Sequence, residues 1–304
     1  MGGDAQISGS VTLHILQREL RQAGYGLQDN PAALGCTLKG LYNSISLDLL
    51  LAPVVITDGT GGAPDTLSVF SSSRSGASVP LDVTGAHPTT YTYFDVKGSF
   101  AVATNDYIVA VPENWDATHW CTLVKAASTT NTTVVHENVS AYMPPGGYDA
   151  DSYLINMGSS LRHRTFAIND QNVLQMTELS SAARDIAPEI VNLQAYYGKD
   201  TNNDKIVDVY DTVKPTTAAG WRQVLAIRVA LVARSMEYEK DEVTTTEPEW
   251  DVGTHIALAG TVDCLSGSGG QCLQIKVSHL SDWKHYRYKL YDTLIPLRNA
   301  LWNS

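Results

Sequence analysis

Read for the spacing of its apolar side chains, the chain opens with a helical pattern and then turns to strands. Ile7, Val11 and Ile15 recur at four-residue intervals, with Leu13, Leu16, Leu20 and Ala23 as an adjoining stripe, which predicts an amphipathic helix beginning at Asp4. Asp4 suits the N-cap, and Gly24 suits a left-handed C-cap. His14 falls within this helix, where a satisfied, partly buried imidazole is expected. Met1-Gly2-Gly3 reads as an added start.

After Gly24 the pattern becomes that of strands. Thr66–Phe70, Asp106–Val111 and Cys121–Val124 are short runs rich in β-formers, and the Gly- and Ser-rich pieces 59–64 and 71–78 read as turns. The Thr- and Asn-rich stretch 127–139 suits an exposed edge strand or loop, and its Asn131-Thr132-Thr133 triplet is a weak glycosylation match. Pro144-Pro145-Gly146-Gly147, within 142–148, is the best internal boundary. Further strands are predicted at Tyr153–Met157, Arg164–Ile168 and Asn172–Thr177, the last two joined by a tight hairpin at Asn169-Asp170. Val191, Leu193, Ala195 and Tyr197 alternate, as do Leu225, Ile227, Val229 and Leu231. With Arg228 and Arg234 on the opposite side, these read as half-buried strands of an antiparallel sheet with one wet face. An acidic connection, 237–249, leads to a long final strand from Trp283 to Trp302, where Tyr286, Tyr288 and Leu290 alternate with charges. The expected architecture is α+β: a helix over residues 1–26 packed on antiparallel sheet, then a β-rich globular head over 27–304.

Between the two alternating strands lies Asp200-Thr-Asn202-Asn-Asp204-Lys-Ile206-Val-Asp208-Val-Tyr-Asp211. Oxygen side chains fall at positions 1, 3, 5, 9 and 12 of a calcium loop, and Ile206 would lend its carbonyl at position 7. The expected Ca²⁺ ligands are thus Asp200, Asn202, Asp204, Ile206, Asp208 and Asp211. Lys205 stands where the turn usually takes Gly, and Asp211 is shorter than the usual bidentate Glu. Both weaken the site, so a structural affinity of roughly 10⁻⁴ to 10⁻³ M is expected. The plain alternative is an Asp- and Asn-rich surface turn.

Composition narrows the setting. The chain has 304 residues, 43% of them hydrophobic, and a net charge of -11, which suits a folded domain and argues against a nucleic-acid partner, since that role needs a cationic footprint. Cys36, Cys121, Cys264 and Cys272 fit no zinc spacing. Closing the Gly- and Ser-rich loop between Cys264 and Cys272 would leave Cys36 with Cys121 as a second bridge. Four reduced, buried thiols are the alternative. Aromatic, Thr, Ser and Gly content favours an exported β-rich domain. No apolar run reaches about eighteen residues, the length a membrane helix needs.

A search for catalytic patterns finds no nucleophile elbow, no His-Glu-x-x-His and no phosphate-cradling glycine loop. Asp149 and Asp151 sit two apart and read as an acidic turn, and His119, His163 and His285 as surface or interface side chains.

Four stretches carry a resemblance to a known family. They are Ile15-Leu-Gln-Arg-Glu-Leu-Arg21-Gln-Ala-Gly-Tyr25-Gly, Val191-Asn-Leu-Gln-Ala-Tyr-Tyr-Gly198 with the loop after it, Trp221 to Ser235, and Tyr286-Arg-Tyr-Lys through to Pro296-Leu-Arg-Asn299. In order and spacing the chain resembles minor pilins of the type IV pilus, the PilW family, related to the type II secretion pseudopilin GspJ. The resemblance implies a soluble head cut from a hydrophobic, inner-membrane helix half. It implies a non-catalytic role in priming pilus assembly and in the tip complex, in the periplasm and on the cell-surface fibre. Partners would be other minor pilins, the major pilin and a tip adhesin, met through a helix stripe of Ile7, Val11, Ile15, Leu16 and Leu20. The competing expectation is a calcium-stiffened secreted adhesin or carbohydrate-binding module.

Overall fold

Gly24 ends the first helix, and the way it does so ties that helix to the sheets. The computed structural model describes residues 3–27, 29–74, 79–100, 102–179, 181–253, 258, 260–265, 267 and 269–297. The helix spans Gly3–Gln22. Gly24 then takes φ 75°, which costs a glycine little because it has no Cβ to clash. Its N–H donates to the Phe70 carbonyl at 2.8 Å, and the Ser72 N–H donates to the Tyr25 carbonyl at 2.8 Å. The chain leaving the helix therefore runs hydrogen-bonded alongside strand Thr66–Ser72.

Only one of the two helix stripes is buried. Ala5, Gly9, Thr12, Leu16, Glu19 and Leu20 face the protein, whereas Ile7 is 63% and Val11 47% exposed. Leu13 and Ile15 are half-buried against the core. The small side chains at 5, 9 and 12 let strand Tyr288–Pro296 approach closely, so the helix turns that row inward and leaves the β-branched row outside. His14 is exposed, not partly buried as its place in the pattern predicts.

The strands form four sheets among the described residues. In the first, Ile45–Leu50 pairs Thr37–Tyr42, which runs parallel to Cys121–Thr129; Tyr107–Val111, Tyr153–Gly158 and Leu81–Asp82 follow in order. Tyr93–Asp95 and Thr133–His136 extend this sheet. The second runs Arg184–Pro188, Val173–Glu178, Leu161–Ile168, Thr66–Ser72, Val54–Thr57. The third orders Val209–Asp211, Ile190–Lys199, Val224–Arg234 and Tyr288–Pro296, all antiparallel. A small fourth joins Glu249–Gly253, Gln271–Gln274 and Val262–Asp263.

The helix and the first three sheets share one apolar core that includes Leu16, Leu20, Leu67, Phe166, Tyr197 and Trp221. Full burial of each such side chain stabilises by about 1.5–3 kcal/mol.

Five sequence expectations differ from the structure. The two central strands of the third sheet have no wet face: Ile190–Lys199 is buried through Gly198, and Val224–Arg234 is buried except at its two arginines, while the edge strand Tyr288–Pro296 keeps Lys289, Asp292 and Leu294 exposed. The small fourth sheet covers the outer side, packing Trp250, Val252 and Ile275 on Val191, Tyr196, Ala230 and Val232. Arg228 does not reach open water; it lies 5.1 Å over Trp250 and donates to the Val252 carbonyl at 2.7 Å. Residues 142–148 are not a boundary, because Tyr153–Gly158 after them pairs with Tyr107–Val111 before them and Tyr148 bridges to His87. The hairpin after Leu161–Ile168 is longer than Asn169-Asp170: Asn169 Oδ1 accepts from the Gln171 and Val173 N–H groups, and Asn172 takes φ 58°. The last strand is Tyr288–Pro296, preceded by a 3₁₀ turn at Trp283–His285. Arg298, Asn299 and Trp302 lie outside the described residues, as do 75–78 of the Ser-rich turn, whose Ser71 and Ser72 belong to a strand.

Candidate assembly face and acidic loop

The acidic loop leaves the buried strand Ile190–Lys199 and returns as Val209–Asp211. Asp200 is 3% exposed. Its Oδ1 accepts from Asn203 N at 2.6 Å and Asp204 N at 3.2 Å, and its Oδ2 from Lys205 N at 2.8 Å. Lys205 takes φ 70°, the left-handed turn that its position demands of a non-glycine residue. Asp208 accepts from the Thr201 hydroxyl and N–H at 2.8 and 2.7 Å. These bonds, the hydroxyl first, hold its carboxyl below the usual range. The Asn202 amide spans Asp204 and Asp208 at 3.2 and 3.3 Å.

Asn202, Asp204 and Asp208 thus gather on one side of the loop. Asp211 does not join them: Lys199 Nζ holds its Oδ1 at 2.6 Å, and the Val213 N–H donates to the same oxygen. Asp251, Cys264 and Cys272 bring ligand atoms within 4.8 Å of one another, but there the two sulfurs are bonded to each other.

The cysteines are paired as Cys36–Cys121 and Cys264–Cys272. The first clamps the start of Thr37–Tyr42 to Cys121–Thr129 beside their parallel register, Leu38 opposite Cys121. The second closes a short loop in the fourth sheet.

Of the five helix residues expected at an assembly face, the structure leaves Ile7 and Val11 outward and Ile15 half-buried, while Leu16 and Leu20 are fully buried. The last two belong to the core and offer no surface. Nearby, Glu19 is taken up by Arg164 at 2.6 Å and Arg18 at 2.9 Å. That buried ion pair fixes the helix to the second sheet. The sequence signal for it is a glutamate on the apolar side of an amphipathic helix.

Titratable groups elsewhere are structural. Asp149 and Asp151 are exposed turn residues, and His119 is exposed on Asp116. His163 lies beside Phe70 and His285 stacks on Tyr238. Sequence reading missed a buried pair, His87 Nε2 to His136 Nε2 at 2.9 Å. His136 Nδ1 faces the Glu137 carbonyl at 2.7 Å, which places its proton on Nδ1 and leaves Nε2 to accept from His87. His87 stacks on Phe94 at 3.8 Å. No reacting trio with an open cleft accompanies it among the described residues.

Residues 153–299 match the family model of PilW, the type IV pilus-assembly protein W. The matched span takes in the third and fourth sheets and the acidic loop. It supports that family and a place in type IV pilus assembly. No curated protein and no solved structure gives a match.

Proposed function

We propose that this chain is the head of a minor pilin that primes type IV pilus assembly and then sits in the tip complex, without catalysing a reaction. The observation that carries this reading is the match to the pilus-assembly family across the sheet on which the N-terminal helix packs. What supports the mode of action is the helix itself, whose inner row is locked to strand Tyr288–Pro296 and whose outer row, Ile7 and Val11, is exposed. A helix with one apolar row buried and a second exposed can serve two partners at once, its own sheet and a neighbouring helix. The neighbours in this reading are other minor pilins and the major pilin, with a tip adhesin above them, in the periplasm and then on the fibre. The bridged cysteines suit that oxidising setting.

Within the same reading, loop 200–208 takes Ca²⁺ through Asp200, Asn202, Asp204, the Ile206 carbonyl and Asp208. The left-handed Lys205 and the gathering of Asn202, Asp204 and Asp208 support it. The ion would stiffen a long connection on the exposed side of the head.

The test is removal of the gene from a piliated host, with surface pili counted, and complementation by wild type and by Ile7→Asp/Val11→Asp. Loss of pili that wild type restores and the double variant does not, together with co-purification of the head with other minor pilins, is the expected outcome. Unchanged piliation on deletion would overturn the reading.

A further inference from the structure

Independently of any role in a fibre, we propose that the groove at the C-terminal end of the first helix is a binding pocket for an oxyanion, a phosphoryl or carboxylate group. A pocket of about 420 Å³ opens there, and three guanidinium groups line it. Arg21 comes from the last helical turn, Arg74 follows strand Thr66–Ser72, and Arg162 lies on Leu161–Ile168.

Three observations carry the assignment. Ser71 is the register partner of Arg162 across the two strands, so hydroxyl and guanidinium share one side of the sheet. The walls are held by backbone hydrogen bonds, Gly24 to Phe70 and Ser72 to Tyr25, with a further one from Arg74 N to Ser72 Oγ at 3.0 Å. The floor is thus rigid before anything binds. The third is charge accounting. Arg18, Arg164, Arg228, Arg234 and Arg287 each meet a carboxylate, as expected in a chain of net charge -11. Arg21, Arg74 and Arg162, like Arg184 and Arg222 elsewhere, have no carboxylate partner among the described residues, but of these five only Arg74 has a guanidinium nitrogen, Nη1, buried without an acceptor.

Leaving a buried guanidinium N–H unpaired costs free energy, and three like charges around one hollow repel. An anion relieves both. Guanidinium forks fit carboxylate and phosphate oxygens two at a time, and charge-assisted bonds of this kind are the strong ones. Ser71 and Ser73 border the same hollow and add hydroxyls beside the arginines.

The test is calorimetric titration of the purified protein with inorganic phosphate and, separately, with citrate, at fixed ionic strength in chloride. Arg74→Gln and Arg162→Gln are run alongside. Arg162 is exposed, so its variant keeps the fold, and an unchanged melting temperature without ligand checks both. The expected result is saturable binding that weakens about tenfold in each variant, the loss of one charged hydrogen bond. Phosphate binding alone identifies a phosphoryl source, and citrate binding alone a carboxylate source; either supports the pocket. No saturable heat with either anion, or equal affinity in the variants and wild type, overturns it.

Discussion

Gly9 and Tyr291 meet so closely that a Cβ placed on Gly9 would run into the Tyr291 ring at Cε2. The Tyr291 hydroxyl then donates to the Ala5 and Gln6 carbonyls, each at 3.2 Å. Glycine in a helix interior ordinarily costs about 1 kcal/mol against alanine, so this contact overrides local preference to seat the helix on strand Tyr288–Pro296. Gly9→Ala is expected to destabilise by about 1–3 kcal/mol through overpacking. In a Tyr291→Ala background the same change is expected to stabilise by up to about 1 kcal/mol. Urea melts of the four proteins check this, and a Gly9→Ala effect of one sign in both backgrounds would refute the contact.

The Glu19–Arg164 pair fastens the other end of the helix. Glu19 is 7% exposed at its side chain, and Arg164 also reaches Glu178 at 3.3 Å. Glu19→Gln is expected to cost about 1–2 kcal/mol, because it weakens the shorter of the two carboxylate contacts of a partly buried guanidinium that keeps Glu178. Glu19→Leu with Arg164→Met should cost less than either single change. Equal, additive losses in a double-mutant cycle would show that the two groups act separately.

Reduction is expected to separate the two bridges by loop length. Cys36 and Cys121 stand 85 residues apart and Cys264 and Cys272 eight. On chain entropy the first is worth roughly 4.5 kcal/mol and the second roughly 2.5. Paired Cys→Ser variants, melted without reductant, test the order. A larger loss from the short loop would contradict it.

Acid should expose the histidine pair. Burial first, then His136, pushes His87 down to about 4, and burial lowers His136 as well. Unfolded histidine titrates near 6.5, so between roughly 6.5 and 4 the unfolded chain takes up protons that the folded one refuses. The stability these groups contribute is present above about 6.5 and is lost as pH falls. Asp65 runs the other way: burial lifts it to about 6, so its contribution is full below about 4 and is lost as pH rises through 6. His87→Leu keeps Asp65 and removes the imidazole. Wild type is therefore expected to lose more stability than this variant between pH 7 and pH 4.5, and a difference that does not change with pH would sink the idea.

Calcium at about ten times its dissociation constant is expected to stabilise by about 1.4 kcal/mol. Asp204→Asn and Asp208→Asn should abolish the response. Asp211→Asn should leave it intact, because Lys199 holds that carboxylate outside the loop. A thermal midpoint indifferent to both calcium and chelator would remove the metal from the account.

Local periodicity made much of this architecture legible. The helix, its Gly24 cap and the strands at 66, 107, 121, 153 and 190 follow from patterns a few residues long. What it could not show were relations between distant segments. Alternation in Val224–Arg234 looked one-sided because Arg228 and Arg234 are charged, yet the small fourth sheet covers that face and Trp250 and Tyr286 receive the two arginines. The loop spacing placed Asp211 in register as a ligand, but a lysine twelve residues earlier in the chain claims it. Likewise the helix pattern showed two adjoining stripes, Ile7 with Val11 and Leu16 with Leu20, and only three-dimensional packing decides which of them faces the core.

The seam between Gly24–Tyr25 and Phe70–Ser72 determines how traction would enter the molecule. A pull on the start of the helix would meet first the Tyr291 hydroxyl at the Ala5 and Gln6 carbonyls, then the Glu19–Arg164 pair, and last this seam. Load that reaches the seam is handed to strand Thr66–Ser72, second from the edge of the second sheet, and through Asp65 to Leu193 and Ala195 on the strand that leads into the acidic loop. The helix is thus fastened to the sheets at three places along its length rather than at its end alone.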